Sequence, residues 1–336
     1  MQVRTIGLDI AKHIFQVHGV DCTGKPVLRR QFRRSEVRRF FAGIERCVIG
    51  IEACHSSHHW ARQLIELGHD VRLIPTQYVK PFRRGGKNDT NDAEAICEAV
   101  SRPAMRCVPV KSAEHQAIQS LHRIRERLIH DRTAQANQIR SLLAEEGVIC
   151  TQGIGRLRRR LHELVTEPTA LTPLLQSLIA LFLEQLEAFD QWIGELDRKI
   201  RIVFVGSAVC QRLARLPGVG PVIATAVVGS VADARVFKNG RQFAAWVGLT
   251  PRQHSSGGRT QLLGITKRGD TYLRTLFVQG ARAVMRVSRH HDDPQSLWVR
   301  GLLTRRHKHV VAVALANKLA RTVWAALAKG EAFQMT

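Results

Sequence analysis

Residues 3–10, VRTIGLDI, decide the fold expected for the first third of the chain. Apolar residues fill this stretch, which predicts a buried strand with a carboxylate, Asp9, inside it. Residues 14–20, IFQVHGV, predict the hairpin partner of this strand, and a third strand is expected near residues 27–32. Residues 47–51, CVIGI, predict another buried strand.

Helices are expected between and after these strands. Ser35 is predicted to cap a short helix, a second helix is expected over residues 57–67, and a further strand covers residues 71–75. A basic glycine loop, Arg83-Arg84-Gly85-Gly86-Lys87, precedes a helix that begins near Asp89. The order β-β-β-α-β-α-β-α predicts an α/β domain with a mixed sheet, as in RNase H-like proteins.

The composition indicates a globular and strongly basic protein. Its 336 residues suffice for about two domains, and a hydrophobic content of 44% excludes global disorder. The net charge of +23 predicts a polyanionic partner such as nucleic acid. Residues 1–112 carry a net charge of +8, residues 113–204 are neutral, and residues 205–336 carry +15. The seven cysteines form no CxxC pair, which favours a reducing compartment over a disulfide framework or a zinc ribbon.

Charge and pattern together predict three regions: an α/β domain over residues 1–112, helical coiled-coil segments over residues 113–204 and a mostly helical domain over residues 205–336. The central region is expected to open with a basic helix over residues 113–146. Its second helix repeats apolar residues at alternating steps of four and three, which predicts a coiled coil within the chain or between two chains. The seam residues are Leu175, Ile179, Phe182, Leu186, Phe189, Ile193, Leu196, Ile200 and Val203.

The last region is expected to begin with a helix-hairpin-helix. Residues 216–221, LPGVGP, lead into an apolar helix over residues 222–231, and the backbone N–H groups of such a glycine turn can bind a phosphate. A helix over residues 237–249 is followed by a basic loop rich in Ser and Gly, residues 252–259, and another helix begins at Thr271. Three tryptophans are expected to pack between helices: Trp246, Trp298 and Trp324.

Four carboxylates stand where the predicted elements would bring them together. Asp9 and Glu52 lie on buried strands, where a carboxylate is costly unless it is paired or bound to a metal. Asp89 and Asp92 are three residues apart at a helix start, so they face the same way. All-oxygen ligands suit Mg²⁺ or Mn²⁺ better than zinc. Each carboxylate alone has a structural explanation, but the combination predicts a metal site that acts on phosphates.

Two sets of motifs, one in each outer region, carry a resemblance to a known family. The first set is Gly7-Leu8-Asp9-Ile10-Ala11-Lys12, Gly50-Ile51-Glu52-Ala53-Cys54 and Lys87-Asn88-Asp89-Thr90-Asn91-Asp92-Ala93. The second set is residues 216–231, GLTP at 248–251, SSGG at 255–258 and ITKRG at 265–269. The chain resembles the DEDD transposases of the insertion-sequence one-ten family, closest to its eleven-eleven subgroup and related to Piv-like DNA invertases. The resemblance covers nearly the whole chain.

The resemblance implies a transposase or recombinase of a mobile insertion sequence, with a RuvC-like first domain. The catalytic metal ligands that it implies are Asp9, Glu52, Asp89 and Asp92. It also implies a serine nucleophile in the last domain, which the motif places at Ser256 rather than its neighbour Ser255. Attack of this hydroxyl on a DNA phosphate would leave a phosphoserine link and a free 3′-OH.

The partners that the resemblance implies are double-stranded DNA, a structured guide RNA and further copies of the chain, as dimers or tetramers. Catalytic sites in that family combine the first domain of one subunit with the serine domain of another. The residues of this sequence that are expected to contact nucleic acid are Arg83, Arg84, Lys87, Arg123, Arg127, Gly218, Gly220, Arg252, Arg259, Lys267 and Arg268.

Two rival functions stay open on the sequence. A hydrolytic nuclease like a Holliday-junction resolvase would need the carboxylates but not Ser256, whereas a non-catalytic nucleic-acid-binding derivative would survive the loss of every carboxylate. Movement by excision and insertion or by inversion is also open. A cytoplasmic location near the nucleoid is expected, because no signal-peptide pattern opens the chain and the apolar run 310–316 is too short to span a bilayer.

Overall fold

The computed structural model of the protein describes residues 2–86, 88–166 and 171–330. The chain divides into two compact units, Met1–Gln116 and Ala117–Thr336. The first contains a five-stranded mixed sheet flanked by helices, and the second is mostly helical. This arrangement confirms the general fold class that the sequence predicted.

The sheet of the first unit has the strand order β3-β2-β1-β4-β5. Its strands are β1 (Thr5–Ile10), β2 (Ile14–Val20), β3 (Pro26–Arg33), β4 (Val48–Glu52) and β5 (Asp70–Ile74). The first three strands pair antiparallel, whereas β1 with β4 and β4 with β5 pair parallel. The helices are α1 (Val37–Ala42), α2 (Ser57–Glu66), α3 (Thr76–Val79) and α4 (Asp89–Ser101).

The prediction that Ser35 caps a helix was wrong. Ser35 lies inside a short 3-10 turn, Arg34–Glu36, and α1 begins only after it. The Glu36 carboxylate accepts a hydrogen bond from the backbone N–H of Arg33 at 2.8 Å. The carboxylate three residues on, and not the serine hydroxyl, therefore satisfies the free backbone donor at this helix start.

Helix α4 lies directly on the sheet because glycines on two strands let it approach. A Cβ atom added to Gly7 on β1 would lie 2.1 Å from the carbonyl oxygen of Ala93, and one added to Gly50 on β4 would lie 2.7 Å from Cβ of Val100. Both distances are far shorter than a van der Waals contact. These glycines therefore fix the distance between the sheet and the helix that carries two of the four candidate metal ligands.

We expect Gly7→Ala to destabilise the first unit by about 1–3 kcal/mol or more, because the added methyl group must displace the backbone of α4. Gly43→Ala is the matched control, since its Cβ would meet a carbonyl oxygen of Phe40 only at 3.5 Å and its φ is −90°. Urea unfolding of the purified variants measures both effects. Equal midpoints for the two variants would contradict the packing described for α4.

The second unit is built from nine α-helices, two short 3-10 helices and one hairpin among the residues that the structure describes. The elements are α5 (Ala113–Glu145), α6 (Ile154–Thr166), α7 (Pro173–Val205), α8 (Ala208–Leu213), α9 (Pro221–Ser230), α10 (Gly240–Val247), β6 (Pro251–Ser256), β7 (Arg259–Ile265), α11 (Thr271–Val287), α12 (Pro294–Leu303) and α13 (Lys308–Lys329). Helix α5 starts at the end of the first unit and continues into the second.

The predicted apolar seam of α7 packs inside the chain. Ile179 and Leu186 join a buried cluster with Ile139 of α5 and Leu161 of α6. Ion pairs flank this cluster, and Arg125 of α5 lies 2.6 Å from Asp197 of α7. A second pair joins Arg132 to Asp190 of the same two helices, so α5 and α7 run in opposite directions.

The core of the last helices depends on one close backbone contact. Gly218, in the turn between α8 and α9, has a φ of +86°, and a Cβ there would lie 2.8 Å from the carbonyl oxygen of Gly280 on α11.

Helix α13 is long and apolar enough to cross a membrane by length and composition alone. One face of it, including Leu315 and Leu319, is buried in this core.

A buried polar network connects three helices of the second unit. His122 of α5 is 2% exposed, and its ring nitrogens lie 2.9 Å from the Tyr272 hydroxyl of α11 and 3.0 Å from the Thr225 hydroxyl of α9. Burial, followed by the charge of Arg125, lowers the pKa of His122 to about 4. The neutral imidazole is therefore the form that the folded protein holds.

This network predicts a loss of stability in acid. The pKa of His122 is about 4 in the folded protein and 6.5 as the unperturbed value for the unfolded chain. Between these two values unfolding takes up a proton, so the free energy of unfolding falls as the pH drops from about 6.5 toward 4. The contribution is on the order of 3 kcal/mol. We expect His122→Gln, which can keep a hydrogen bond, to flatten this part of the profile. Unfolding free energies of both proteins at pH 7, 6 and 5 measure the slope, and parallel slopes would contradict the assignment.

Candidate functional site

The strand register places two of the predicted ligands side by side. Leu8 of β1 is paired in register with Ile51 of the parallel neighbour β4, so the residues that follow them, Asp9 and Glu52, reach the same edge of the sheet. Asp89 and Asp92 lie in the first turn of α4, which packs on β1 and β4. Asp92 is buried and Asp89 is exposed. The fold thus gathers all four carboxylates on adjacent elements of the first unit.

The pKa of Asp9 reflects the proximity of the other three carboxylates. Burial and then the negative charges of Asp92, Asp89 and Glu52, in that order of size, together raise the pKa of Asp9 to about 6. A carboxylate that is destabilised by three others gains most from a cation placed among them. The four side chains therefore act as one electrostatic cluster, which the separate structural explanations of each residue do not account for.

The basic glycine loop bends back onto this cluster. Arg83 Nε lies 2.5 Å from Asp92 Oδ1, in an ion pair without the alignment of a hydrogen bond. The side chain of Asn91 donates a hydrogen bond to the carbonyl oxygen of Gly86 at 2.9 Å, which ties the loop to α4. Arg84 pairs with Glu98 at 3.4 Å. Lys87, the last of the basic residues predicted to contact nucleic acid in this loop, lies outside the described residues.

The cluster fits a divalent cation in its donor chemistry. All four groups offer carboxylate oxygens, and the buried Asp92 Oδ1 has the Arg83 guanidinium as its ionic partner. Within residues 2–86, 88–166 and 171–330, no three His, Cys, Asp or Glu side chains converge as closely as a ligand set. The four carboxylates are therefore close enough to interact electrostatically but are not arranged as a ligand set in this structure, and the Arg83 guanidinium supplies positive charge to Asp92.

The predicted loop at residues 252–259 is a β-hairpin, so that prediction was wrong. Strands β6 and β7 pair antiparallel, with Ser256 opposite Arg259. Gly257 and Gly258 form the two-residue turn, with φ values of +54° and +76°. Such a turn matches the twist of a hairpin. The side chains of β6 and nearly all of those of β7 are exposed on both faces, which hides the alternation that marks a strand in a sequence.

The hairpin distinguishes the two candidate serines. Gln253 Nε2 donates a hydrogen bond to Ser255 Oγ at 2.6 Å, and Ser255 Oγ donates to Thr260 Oγ1 at 3.4 Å. Ser256 makes no such bond to any described residue. Paired residues share a face, so Ser256 and Arg259 project from the same side, together with His254 two residues earlier. Ser256 therefore has a hydroxyl without a hydrogen-bond partner among the described residues, on the hairpin face that also carries Arg259.

The other basic residues of this region that were predicted to contact nucleic acid lie on the hairpin or directly after it. Arg252 lies on β6, and Lys267 and Arg268 follow β7, all of them exposed. Lys267 adopts a left-handed backbone with a φ of +55°. A Cβ on Gly248 would lie 2.0 Å from the Arg268 carbonyl oxygen, so the loop after β7 packs tightly on the end of α10. That contact fixes where the hairpin leaves the helical core.

The other residues expected to contact nucleic acid have mixed environments. Arg123 is exposed on α5, whereas Arg127 pairs with Asp131 at 2.7 Å. Gly218 is used in packing against α11, and Gly220 is exposed at the start of α9 with open space where a side chain would be. Among these, Arg123 and Gly220 are the ones that the fold leaves available for a phosphate.

Some features of the candidate site could not be read from the sequence. The Arg83–Asp92 pair depends on how the loop folds back, and the shared face of His254, Ser256 and Arg259 depends on the strand register. A recognisable signal existed for the hairpin in the Gly257-Gly258 dipeptide between short polar segments, since two adjacent glycines are typical of a two-residue hairpin turn.

Comparison with known proteins gives the same family at both ends of the chain. A family model described as a transposase, of the DEDD IS110 type, matches residues 6–147, and one described as the transposase IS116/IS110/IS902 family matches residues 210–295. A probable family 20 transposase of Pseudomonas aeruginosa is 52% identical over 98% of both chains. The transposase for insertion sequence element IS1111A of Coxiella burnetii is 40% identical over 99% of this chain and 92% of its own. The transposase for element IS1328 of Yersinia enterocolitica is 38% identical over 98% of both chains. With full-length identity at this level and matches to both family models, the chain belongs to the IS110 family of DEDD transposases.

Proposed function

We propose that this protein is the transposase of an insertion sequence, which cleaves and rejoins DNA strands at the ends of its element. The observation that carries the proposal is the gathering of Asp9, Glu52, Asp89 and Asp92 into one electrostatic cluster. A net charge of +23 suits a polyanionic substrate, and the relatives are described as transposases. The proposed fold of the first unit is RuvC-like.

The carboxylate cluster would hold Mg²⁺ or Mn²⁺. Such an ion neutralises charge on the phosphate and stabilises the attacking and leaving oxygens. The chain's own contribution is to place two carboxylates on adjacent strands of the sheet and two in the first turn of α4, which is held at a fixed distance from the sheet by Gly7 and Gly50. Arg83 lies against Asp92 and is positioned to balance the cluster's negative charge.

Ser256 is the proposed nucleophile. Its Oγ attacks the phosphorus of a DNA phosphodiester, the P–O3′ bond breaks, and the 3′ oxygen leaves with a proton as a free 3′-OH. Rejoining is the reverse step, in which a 3′-OH of another strand attacks the phosphoserine and releases Oγ. One phosphoester bond breaks for each one formed, so no external energy source is needed. Arg259 on the same hairpin face would stabilise the phosphate charge.

Further copies of the chain and a structured guide RNA are proposed partners. Helix α7 exposes a stripe of apolar side chains on the flank next to its buried seam, including Leu174, Leu178, Leu181 and Trp192. Large apolar side chains in one row are typical of a surface that another chain covers. We propose a homo-oligomer in which the serine hairpin of one copy completes the carboxylate site of another, in the cytoplasm of the host cell.

An excision assay in cells tests the proposed function. The transposase gene is expressed beside a plasmid that carries the element's ends, and PCR detects joined element ends and resealed donor DNA. We expect both products with the wild-type protein and neither with Asp9→Asn. Absence of both products with the wild-type protein, when the complete element on the same plasmid does move, would contradict the proposal.

A further inference from the structure

A long groove lies on the second unit, and none of the residues that line it belongs to the serine hairpin. It has a volume of about 1320 Å³ and runs between the start of α10, the exposed face of α13 and Trp298 of α12. Its lining on α13 extends from Ala314 to Lys329, which is about 22 Å along the helix axis. Small side chains, Ala314 and Ala325, form part of this lining and make it concave.

The groove is strongly cationic. Arg241, Lys318, Arg321 and Lys329 line it, all four are exposed, and no acidic residue is among the described residues that line it. A face kept only for solubility would carry acidic residues at helical spacing to pair with these cations. One sign of charge along a concave surface favours a bound polyanion.

The acidic residues of this region are engaged elsewhere. Asp233 pairs with Arg235 at 3.0 Å, and Asp292 pairs with Arg300. Asp270 and Asp293 cap α11 and α12. The remaining acidic residue after residue 204, at position 331, lies outside the described part of the chain. No described carboxylate of the last region is therefore free to neutralise the groove.

An aromatic side chain accompanies the cations. Trp298 was expected to pack between helices, but it is 36% exposed and lines the groove. Lys318 Nζ lies 4.9 Å from its ring centroid, so the indole face already accepts a cation. A basic groove with an accessible aromatic face is the combination that binds single strands, because a base can stack on the ring only when it is unpaired.

We propose that this groove binds a single-stranded segment of nucleic acid, with one base stacked on Trp298 and the phosphates following Arg241, Arg321 and Lys329. The site deepens the proposed function and rests on it, since it assigns a place on the protein to an unpaired strand. Lys318 leaves the indole face when the base stacks and contacts the adjacent phosphate. The start of α10, at Gly240 and Arg241, adds the positive end of a helix to the same groove.

Fluorescence anisotropy with the full-length protein tests the groove. The probes are fluorescein-labelled 12-nucleotide oligo-dT, oligo-U and a 12-base-pair duplex, all in EDTA so that no chemistry occurs. We expect Trp298→Ala to weaken binding of the single strands about tenfold to a hundredfold. Arg321→Glu combined with Lys329→Glu should weaken it at least about tenfold and reduce the slope of log affinity against log salt by about 1.4.

Matched controls lie outside the groove lining. Trp246→Ala on α10 removes an indole that is 37% exposed, and Arg198→Glu with Arg201→Glu on α7 reverses the same number of exposed charges. Both should bind the single strands as the wild-type protein does. Equal losses in groove and control variants, or equal losses for the duplex and the single strands, would overturn the proposal. Tighter binding of oligo-U or of oligo-dT identifies the natural strand as RNA or DNA.

Photocrosslinking locates the strand directly. An oligonucleotide with 5-iodouracil is irradiated on the protein, and trypsin then releases the peptide of residues 290–300, which contains Trp298. We expect the crosslink on this peptide, and crosslinks confined to other peptides would overturn the proposal. Asp9→Asn distinguishes a failure of the groove from a failure of the proposed function, because this variant should keep the crosslink while it loses DNA cleavage. A groove variant that cleaves element ends and binds single strands normally would refute the groove alone.

Discussion

Asp9→Asn is expected to lower DNA cleavage by on the order of 10³-fold or more and to raise the thermal stability of the metal-free protein. Loss of one ligand removes stabilisation of the phosphate by a divalent ion, which is worth several kcal/mol, and each 1.36 kcal/mol is a factor of ten in rate. The same substitution removes a carboxylate whose pKa is raised to about 6 by burial and by three other carboxylates. Activity and stability should therefore change in opposite directions.

Cleavage of labelled element-end DNA with Mg²⁺ or Mn²⁺, and thermal unfolding in EDTA, measure the two effects. Asp21→Asn is a suitable control, because Asp21 lies in a turn outside the carboxylate cluster. Its carboxylate accepts a hydrogen bond from the Thr23 hydroxyl. Asp21→Asn should leave the cleavage rate unchanged and should not raise the melting temperature. An Asp9→Asn protein that cleaves at the wild-type rate would remove the carboxylate cluster from the mechanism.

Ser256→Ala is expected to abolish the covalent protein–DNA adduct, with a loss of strand transfer on the order of 10⁴-fold or more. Ser255→Ala is the matched control one residue away. Its hydroxyl is held by Gln253 and Thr260, and the loss of these exposed hydrogen bonds should change the rate by no more than about tenfold. Since both serines lie on an exposed hairpin, neither variant should lower the melting temperature appreciably.

Denaturing gels of the reaction with labelled DNA compare the three proteins. An adduct that persists in Ser256→Ala and disappears in Ser255→Ala would move the nucleophile to Ser255. Cleavage without an adduct in all three proteins, still dependent on Asp9, would indicate a hydrolytic nuclease that resembles a Holliday-junction resolvase.

The first unit could be predicted closely because its strands are short apolar runs bounded by turns. Strand β2 has the predicted bounds, Ile14–Val20, and β4 differs from its prediction by one residue at each end. The four carboxylates were predicted because they are tied to those strands and to a capped helix start. The roles of Gly7 and Gly50 were not, since a glycine in a strand shows its purpose only when the element packed against it is known.

The second unit was predicted less well where its elements consist of exposed polar or charged residues. The hairpin of β6 and β7 has exposed side chains on both faces, so no alternation marks it. The groove along α13 is formed by cations from two helices that are about 80 residues apart in the sequence, such as Arg241 and Arg321. Such a juxtaposition depends on tertiary packing and not on local pattern. The heptad seam of α7 was predicted, but only the structure shows that it is buried against α5 and α6.

The most direct test of the account is to locate the DNA on the trapped protein. Wild-type protein is incubated with element-end DNA and divalent metal, denatured, and digested with nuclease and trypsin, which releases residues 253–259 as one peptide containing both serines. Fragmentation by mass spectrometry then assigns the nucleotide-bearing residue. We expect a phosphodeoxynucleotide on Ser256 that is absent from Asp9→Asn. A modification on any other residue, or cleaved DNA with an unmodified peptide, would rule out Ser256 as the nucleophile.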